Sequence, residues 1–185
     1  MRKVFVALLM VVASAALVPA PAFAQAFPAD LLPEAEKGDA GAQYELGFMH
    51  AIGWRVAQDY AEAARWYGMA AEQGHAWAQY SLGRMYEDGQ GVARDYAEAV
   101  KWYGKAARQG DARAQCDLGN MYSGGRGVAR DGAYALMWFN IAWANGYKDA
   151  REAREELSRS LSPDQIAEAQ KLSREWMEKH PAKAQ

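Results

Sequence analysis

Few groups in this chain of 185 residues are of a type and spacing that could do chemistry. Cys116 is the only cysteine, and a nucleophilic thiolate needs a base or cation beside it to lower its pKa. Only His50, His75 and His180 could supply an imidazole, and none is near Cys116 in sequence. A buried, inert thiol is the expectation, with no intramolecular disulfide. The histidines also show no i, i+4 pairing and no cysteine spacing, so no metal site is expected. Gly89-Gln90-Gly91 and Gly125-Arg126-Gly127 have the glycine content of phosphate loops, but they follow helical patterns and lack the Gly-Lys-Ser/Thr ending. Asp59, Asp95 and Asp131 recur at one interval, which a repeated structural duty explains better than a single active site. Glu155 and Glu156 among Arg151, Arg154 and Arg159 read as a solvated helix face with an i, i+4 pair from Glu155 to Arg159. No catalytic residue, cofactor site or metal ligand is assigned.

The interval itself is the strongest signal. Self-comparison at an offset of 36 aligns three units without insertion. Ala42, Ala78 and Ala114 coincide, as do Gln43, Gln79 and Gln115, then Leu46, Leu82 and Leu118, and Gly47, Gly83 and Gly119. Met49, Met85 and Met121 follow, and later Trp66, Trp102 and Trp138. Periods of this size mark stacked supersecondary units. Ala, Leu and Met at spacings of four and three form one face of a first helix, which stops at a glycine turn. Asp59-Tyr60-Ala61-Glu62 and Asp95-Tyr96-Ala97-Glu98 read as capping boxes that open a second helix. His75 occupies the place of Asp39 and Asp111, so it reads as a helix cap. The pairs Trp66-Tyr67, Trp102-Tyr103 and Trp138-Phe139 could stack on a sugar or base, but their helical period assigns them to the core.

Composition agrees. The chain has 39 Ala, 17 Gly and 22 aromatic residues against three Ile and no Thr, too few β-branched side chains for a sheet. The fold class expected is all-α, an α-solenoid of helix-turn-helix repeats. A formal net charge of -2 removes the basic footprint of a general nucleic-acid binder.

Boundaries follow. Arg2 and Lys3, the apolar run Val4 to Val18 and the ending Ala22-Phe23-Ala24 read as a signal peptide over 1–24. The run is about 15 residues where a membrane span needs roughly 20. Cleavage near Ala24 implies a secreted or periplasmic protein with no later span. Segment 25–38 reads as an N-terminal cap, 39–74, 75–110 and 111–146 as the units, 147–180 as C-terminal capping helices and 181–185 as a tail. Leu31 to Lys37 is the first capping helix. Lys148 to Ser160 and Pro163 to Lys179 are the last two, the latter opened by a Ser162–Gln165 capping box.

The run AQYSLGRMYEDGQGVARDYAEAVKWYGKAARQG, residues 78 to 110, resembles the Sel1-like repeat (SLR), a relative of the tetratricopeptide repeat, and the resemblance extends from Asp39 to Gly146. It implies a scaffold or adaptor role. Departures are Arg55 in place of Gly91 and Gly127, His50 in place of Tyr86 and Tyr122, Gly132 in place of Tyr60 and Tyr96, and Phe139 in place of Tyr67 and Tyr103. Arg55 makes the first turn the least permissive. Some secreted cysteine-rich members of the class are associated with β-lactam binding or hydrolysis, and a cell-wall or β-lactam hydrolase is therefore the rival reading. Those members carry a cysteine pair in each repeat, and this chain has one cysteine in all.

Where the units differ, one narrow stripe of the first helix stands out on a wheel of about 100° per residue. It holds Gly41, Glu45, Phe48 and Ile52 in the first unit, Trp77, Ser81, Arg84 and Asp88 in the second, and Arg113, Asp117, Asn120 and Gly124 in the third. Stacking would lay these stripes side by side along a concave groove. Phe48, Ile52, Trp77, Arg84, Asp88, Arg113, Asp117 and Asn120 are the expected contacts to a peptide or protein partner, aromatic and Arg anchors being the side chains that dominate binding energy. The expected state is a monomer.

Overall fold

The first amides of a helix have no partner inside it, and this chain supplies one from the same place in each unit. The computed structural model describes residues 31–181; the signal peptide read over 1–24 lies outside the described residues, as do 25–30 and 182–185. Asp39 accepts from the Ala42 amide at 2.7 Å, His75 through Nδ1 from Ala78 at 3.2 Å, and Asp111 from Arg113 and Ala114. These open α2 (Ala40–Ile52), α4 (Ala76–Asp88) and α6 (Ala112–Gly124). Asp59, Asp95 and Asp131 in the same way open α3 (Tyr60–Glu72), α5 (Tyr96–Arg108) and α7 (Gly132–Ala144). Before them lies α1 (Leu31–Glu36), and after them α8 (Ala150–Ser160) and α9 (Pro163–Lys179). Every regular element among the described residues is helical.

One local expectation needs correcting. Glu62 and Glu98 do not reach back to complete capping boxes. The amide they would take is already used, because Asp59 N–H donates to the His50 carbonyl at 3.0 Å and Asp95 N–H to that of Tyr86 at 2.9 Å. Asp131 N–H does the same toward Tyr122 at 3.0 Å. A carbonyl of the preceding helix thus replaces the carboxylate, and Glu62 and Glu98 pair instead with Arg65 and Lys101 one turn on. The capping box at the start of α9 does form, Ser162 Oγ accepting from the Gln165 amide at 3.2 Å and Gln165 returning the contact at 3.0 Å.

Within each unit the two helices pack on each other, and α3 on α4 and α5 on α6 join the units. Close approach explains the Leu-Gly pairs. A Cβ at Gly47, Gly83 or Gly119 would lie 2.6 to 2.7 Å from the ring of Tyr67, Tyr103 or Phe139. The aromatic stripe is core, with Trp66, Tyr67, Tyr103, Trp138 and Phe139 buried; Trp102 alone stays half-buried. Cys116 is buried too, and burial pushes its thiol up to about 12. At the far end, α9 packs on α7 and does not pair with α8 as the second helix of a unit would. It covers the apolar face of α7 with Trp176, 5.5 Å from Trp138 ring to ring.

A buried polar ladder runs through the stack. Gln43, Gln79 and Gln115 are each at most 4% exposed. Their Nε2 groups donate to the carbonyls of Ala35, Ala71 and Ala107, eight residues upstream, at 2.9 to 3.0 Å. Their Oε1 atoms accept from Gln73, Gln109 and Asn145 at 2.7 to 2.8 Å. Every amide is satisfied on both sides, as burial demands.

The linkers show why Arg55 is tolerated. Gly91 and Gly127 have φ of 71° and 70°, and a Cβ there would lie 2.0 Å from the Tyr60 carbonyl oxygen or 2.3 Å from that of Tyr96. Each linker is pressed against the start of the previous unit's second helix. Among the described residues no such helix precedes the first unit, and Arg55 keeps the same left-handed φ of 63° with its side chain exposed and its guanidinium 4.5 Å over Trp54.

Candidate interaction groove

Leu46 and Met49 turn α2 toward the core, and Phe48 and Ile52 lie on a different stripe, about 110° away on the helix wheel. They are 40% and 53% exposed, and Trp77 at the start of α4 is 57% exposed. Together with Arg84, Asp88 and Arg113 they line one hollow of about 360 Å³ between α2 and α4, closed below by Tyr44, Tyr67 and Tyr80 and at one end by Tyr60. Six of the eight residues expected at the groove therefore meet. Two exposed aromatic rings and the Ile52 side chain over a floor of tyrosines form a surface for an apolar anchor with polar edges.

The floor is held rigidly. Tyr44 stacks on the His75 ring at 4.8 Å and tilts against Trp77 at 5.9 Å. Because His75 Nδ1 accepts the Ala78 amide, the imidazole is neutral there, and burial pushes its pKa down. Arg113 lies 4.5 Å over Tyr80 and is held by Asp111 at 2.7 Å. Arg84 reaches Asp88 at 3.3 Å. Both guanidiniums are half in the solvent, with their stems along the hollow.

Asp117 and Asn120 lie outside the lining of that hollow. They sit on α6, both half-buried, with Asn120 Nδ2 3.5 Å from the Asp117 carboxylate. Burial, and next the negative charge of Glu87, pushes the Asp117 carboxyl up to about 6, against the opposing hydrogen bond from Tyr80. Glu87 is the residue that sequence reasoning missed. It accepts the Tyr103 hydroxyl at 2.7 Å and pairs with Arg126 at 2.9 Å across the next linker. It stands neither in a repeated column nor on the variable stripe, and only its unlike equivalents Ala51 and Ser123 set it apart. No helix among the described residues is long and apolar enough to cross a membrane, and no group of three or more His, Cys, Asp or Glu there could hold a metal.

The Sel1 repeat family model matches residues 40–75, 78–111 and 112–147. Among solved structures, a protective antigen of uropathogenic Escherichia coli displaying an SLR fold is 35% identical over 84% of this chain, with a TM-score of 0.74. This chain spans about a third of that protein's length, 35%. A Sel1 repeat protein from Oxalobacter formigenes is 40% identical, with 69% of this chain and 96% of that one covered and a TM-score of 0.63. Cysteine-rich protein B of Helicobacter pylori is similar in fold alone, at 24% identity and a TM-score of 0.53, covering 67% and 94% of the two chains. No curated protein matches the chain.

Proposed function

The chain belongs to the Sel1 repeat family, whose repeats are generally non-catalytic protein-interaction modules, and from that premise we propose that it is a scaffold or adaptor of the bacterial cell envelope that receives a peptide or protein surface in the hollow between α2 and α4. The observation that carries this reading is the cluster of Phe48, Ile52 and Trp77, three large apolar side chains left 40 to 57% exposed around one concavity. Apolar area of that kind in a soluble chain marks an interaction surface. The partner lays an apolar anchor on Trp77 and the tyrosine floor, while Arg84, Asp88 and Arg113 fix its polar edge and Asp117 and Asn120 extend the polar contact along α6. The protein acts as a monomer, secreted or periplasmic after cleavage near Ala24.

The test is capture. Crosslinking the processed protein in its native envelope identifies the partner. Changing Trp77, Arg84 and Arg113 together to Ala then abolishes capture without lowering the melting temperature. Capture that persists in this triple variant overturns the groove assignment.

A further inference from the structure

The opposite side of the stack, formed by the second helices, carries a different hollow. It measures about 400 Å³, lies between α5 and α7 over α6, and its lining includes Lys101, Lys105 and Arg108, one carboxylate, Glu98, and the rings of Trp102, Tyr134 and Trp138. The first unit contains its internal template, a hollow of about 470 Å³ between α1 and α3 over α2, whose wall includes Glu62 and Trp66. Residues 62 and 66 correspond to 134 and 138 at twice the repeat interval.

The two hollows differ in one chemical respect. In the first unit the Glu62 carboxylate lines the hollow beside Trp66 and accepts hydrogen bonds from Arg65. In the third unit the corresponding residue is Tyr134, which carries no carboxylate. The Trp138 indole N–H is buried without an acceptor, in a side chain only 5% exposed, and an unmet buried donor is costly. Beside it the positive charge is in excess. Lys101 pairs with Glu98, but Lys105 rests 3.6 Å over the Trp102 ring with no carboxylate, and Arg108 forms no ion pair among the described residues. The fold does not require these cations, since the corresponding residues are Arg65, Met69 and Glu72 in the first unit and Met137, Ile141 and Ala144 in the third.

We propose that this hollow is a second docking site, for an acidic segment of a partner protein, whose Glu or Asp carboxylate takes the place that Glu62 holds internally in the first unit. Charge complementarity with Lys105 and Arg108 attracts the segment, Trp102 and Tyr134 cover its aliphatic stem, and the carboxylate approaches the Trp138 indole. The site is separate from the groove between α2 and α4, and each can fail without the other.

The probe is a hexaglutamate peptide, acetylated and amidated at its ends, titrated into the full processed chain at low salt. The readout is the Trp138 indole N–H resonance. The expected result is a saturable downfield shift of that resonance that weakens as salt is raised, with affinity lowered about tenfold or more when Lys101, Lys105 and Arg108 are all changed to Ala. All three side chains are exposed, so the variant keeps its fold, which an unchanged melting temperature checks. A hexaglutamine peptide that shifts the resonance equally, or no shift with hexaglutamate, overturns the proposal. Inorganic phosphate binding as tightly as the peptide also overturns it, because the hollow is then a simple anion site.

Discussion

The face between the first and second units and the face between the second and third are built on the same scaffold positions and finished in opposite ways. At the first, Phe48, Ile52 and Trp77 stand in solvent over a hollow. At the second, Arg126 pairs with Glu87 across the linker, and the Tyr103 hydroxyl is fixed on that same Glu87. Identical ladders of Ala, Gln, Leu, Gly and Met hold both seams. Cohesion in such a stack is therefore a property of the repeated columns, and the variable positions are what make one seam unlike the next.

The largest effect should be the same at both seams. Gly91→Ala and Gly127→Ala each drive a Cβ into the backbone of the preceding unit while straining a left-handed φ, and each should cost about 3 kcal/mol or more. Arg55→Ala, at the corresponding position of the first linker, replaces an exposed side chain and should cost less than about 1 kcal/mol. Urea denaturation measures all three, and a strong asymmetry between Gly91 and Gly127 would break the premise of a common scaffold.

A middle-sized effect should separate the seams. Glu87→Ala strands the Tyr103 hydroxyl and Arg126 and should destabilise the fold by about 2 kcal/mol. Trp77→Ala should change stability by less than about 1 kcal/mol, because most of its ring is already in water. Equal losses in thermal melts would mean that Trp77 is structural.

The smallest effect is a difference in sign. Asp117 has a folded pKa of about 6, above its ordinary 3.8, so the native state holds the extra proton. Its contribution to stability is present below about pH 4 and is lost as pH rises to about 6. His75 has a folded pKa lowered from 6.5, so its contribution is present above 6.5 and is lost as pH falls through the lower folded value. Relative to the parent chain, Asp117→Asn should make melting temperature rise more steeply with pH between 4 and 6. His75→Asn keeps a capping side chain and should flatten the decline below 6.5. The same change of slope in both variants would refute the assignment.

Much of the scaffold was readable because its causes are local or periodic. The period placed the three helix pairs, the glycine turns and the Asp and His caps, and the small-beside-large recipe placed Trp66, Tyr67, Tyr103, Trp138 and Phe139 in the core. What the sequence concealed depends on partners far along the chain. The capping boxes at Asp59 and Asp95 do not form because carbonyls of His50 and Tyr86 arrive first. Glu87 is defined by Tyr103 and Arg126, sixteen and thirty-nine residues away. The stripe arithmetic brought six candidate residues to one hollow, but it could not know that Asp117 and Asn120 would be half-covered beside Tyr80.

The glutamine ladder bears on how such a protein changes its length. Gln79 and Gln115 each donate to the preceding unit, Gln43 donates to α1 in the same way, and all three accept from the end of their own unit. A tandem duplication of residues 75–110 would therefore bring matching donors and acceptors to both new junctions and leave no amide stranded. The joints are interchangeable, so copy number can drift at little folding cost, and each added unit would supply a fresh stripe on which a new specificity could be written.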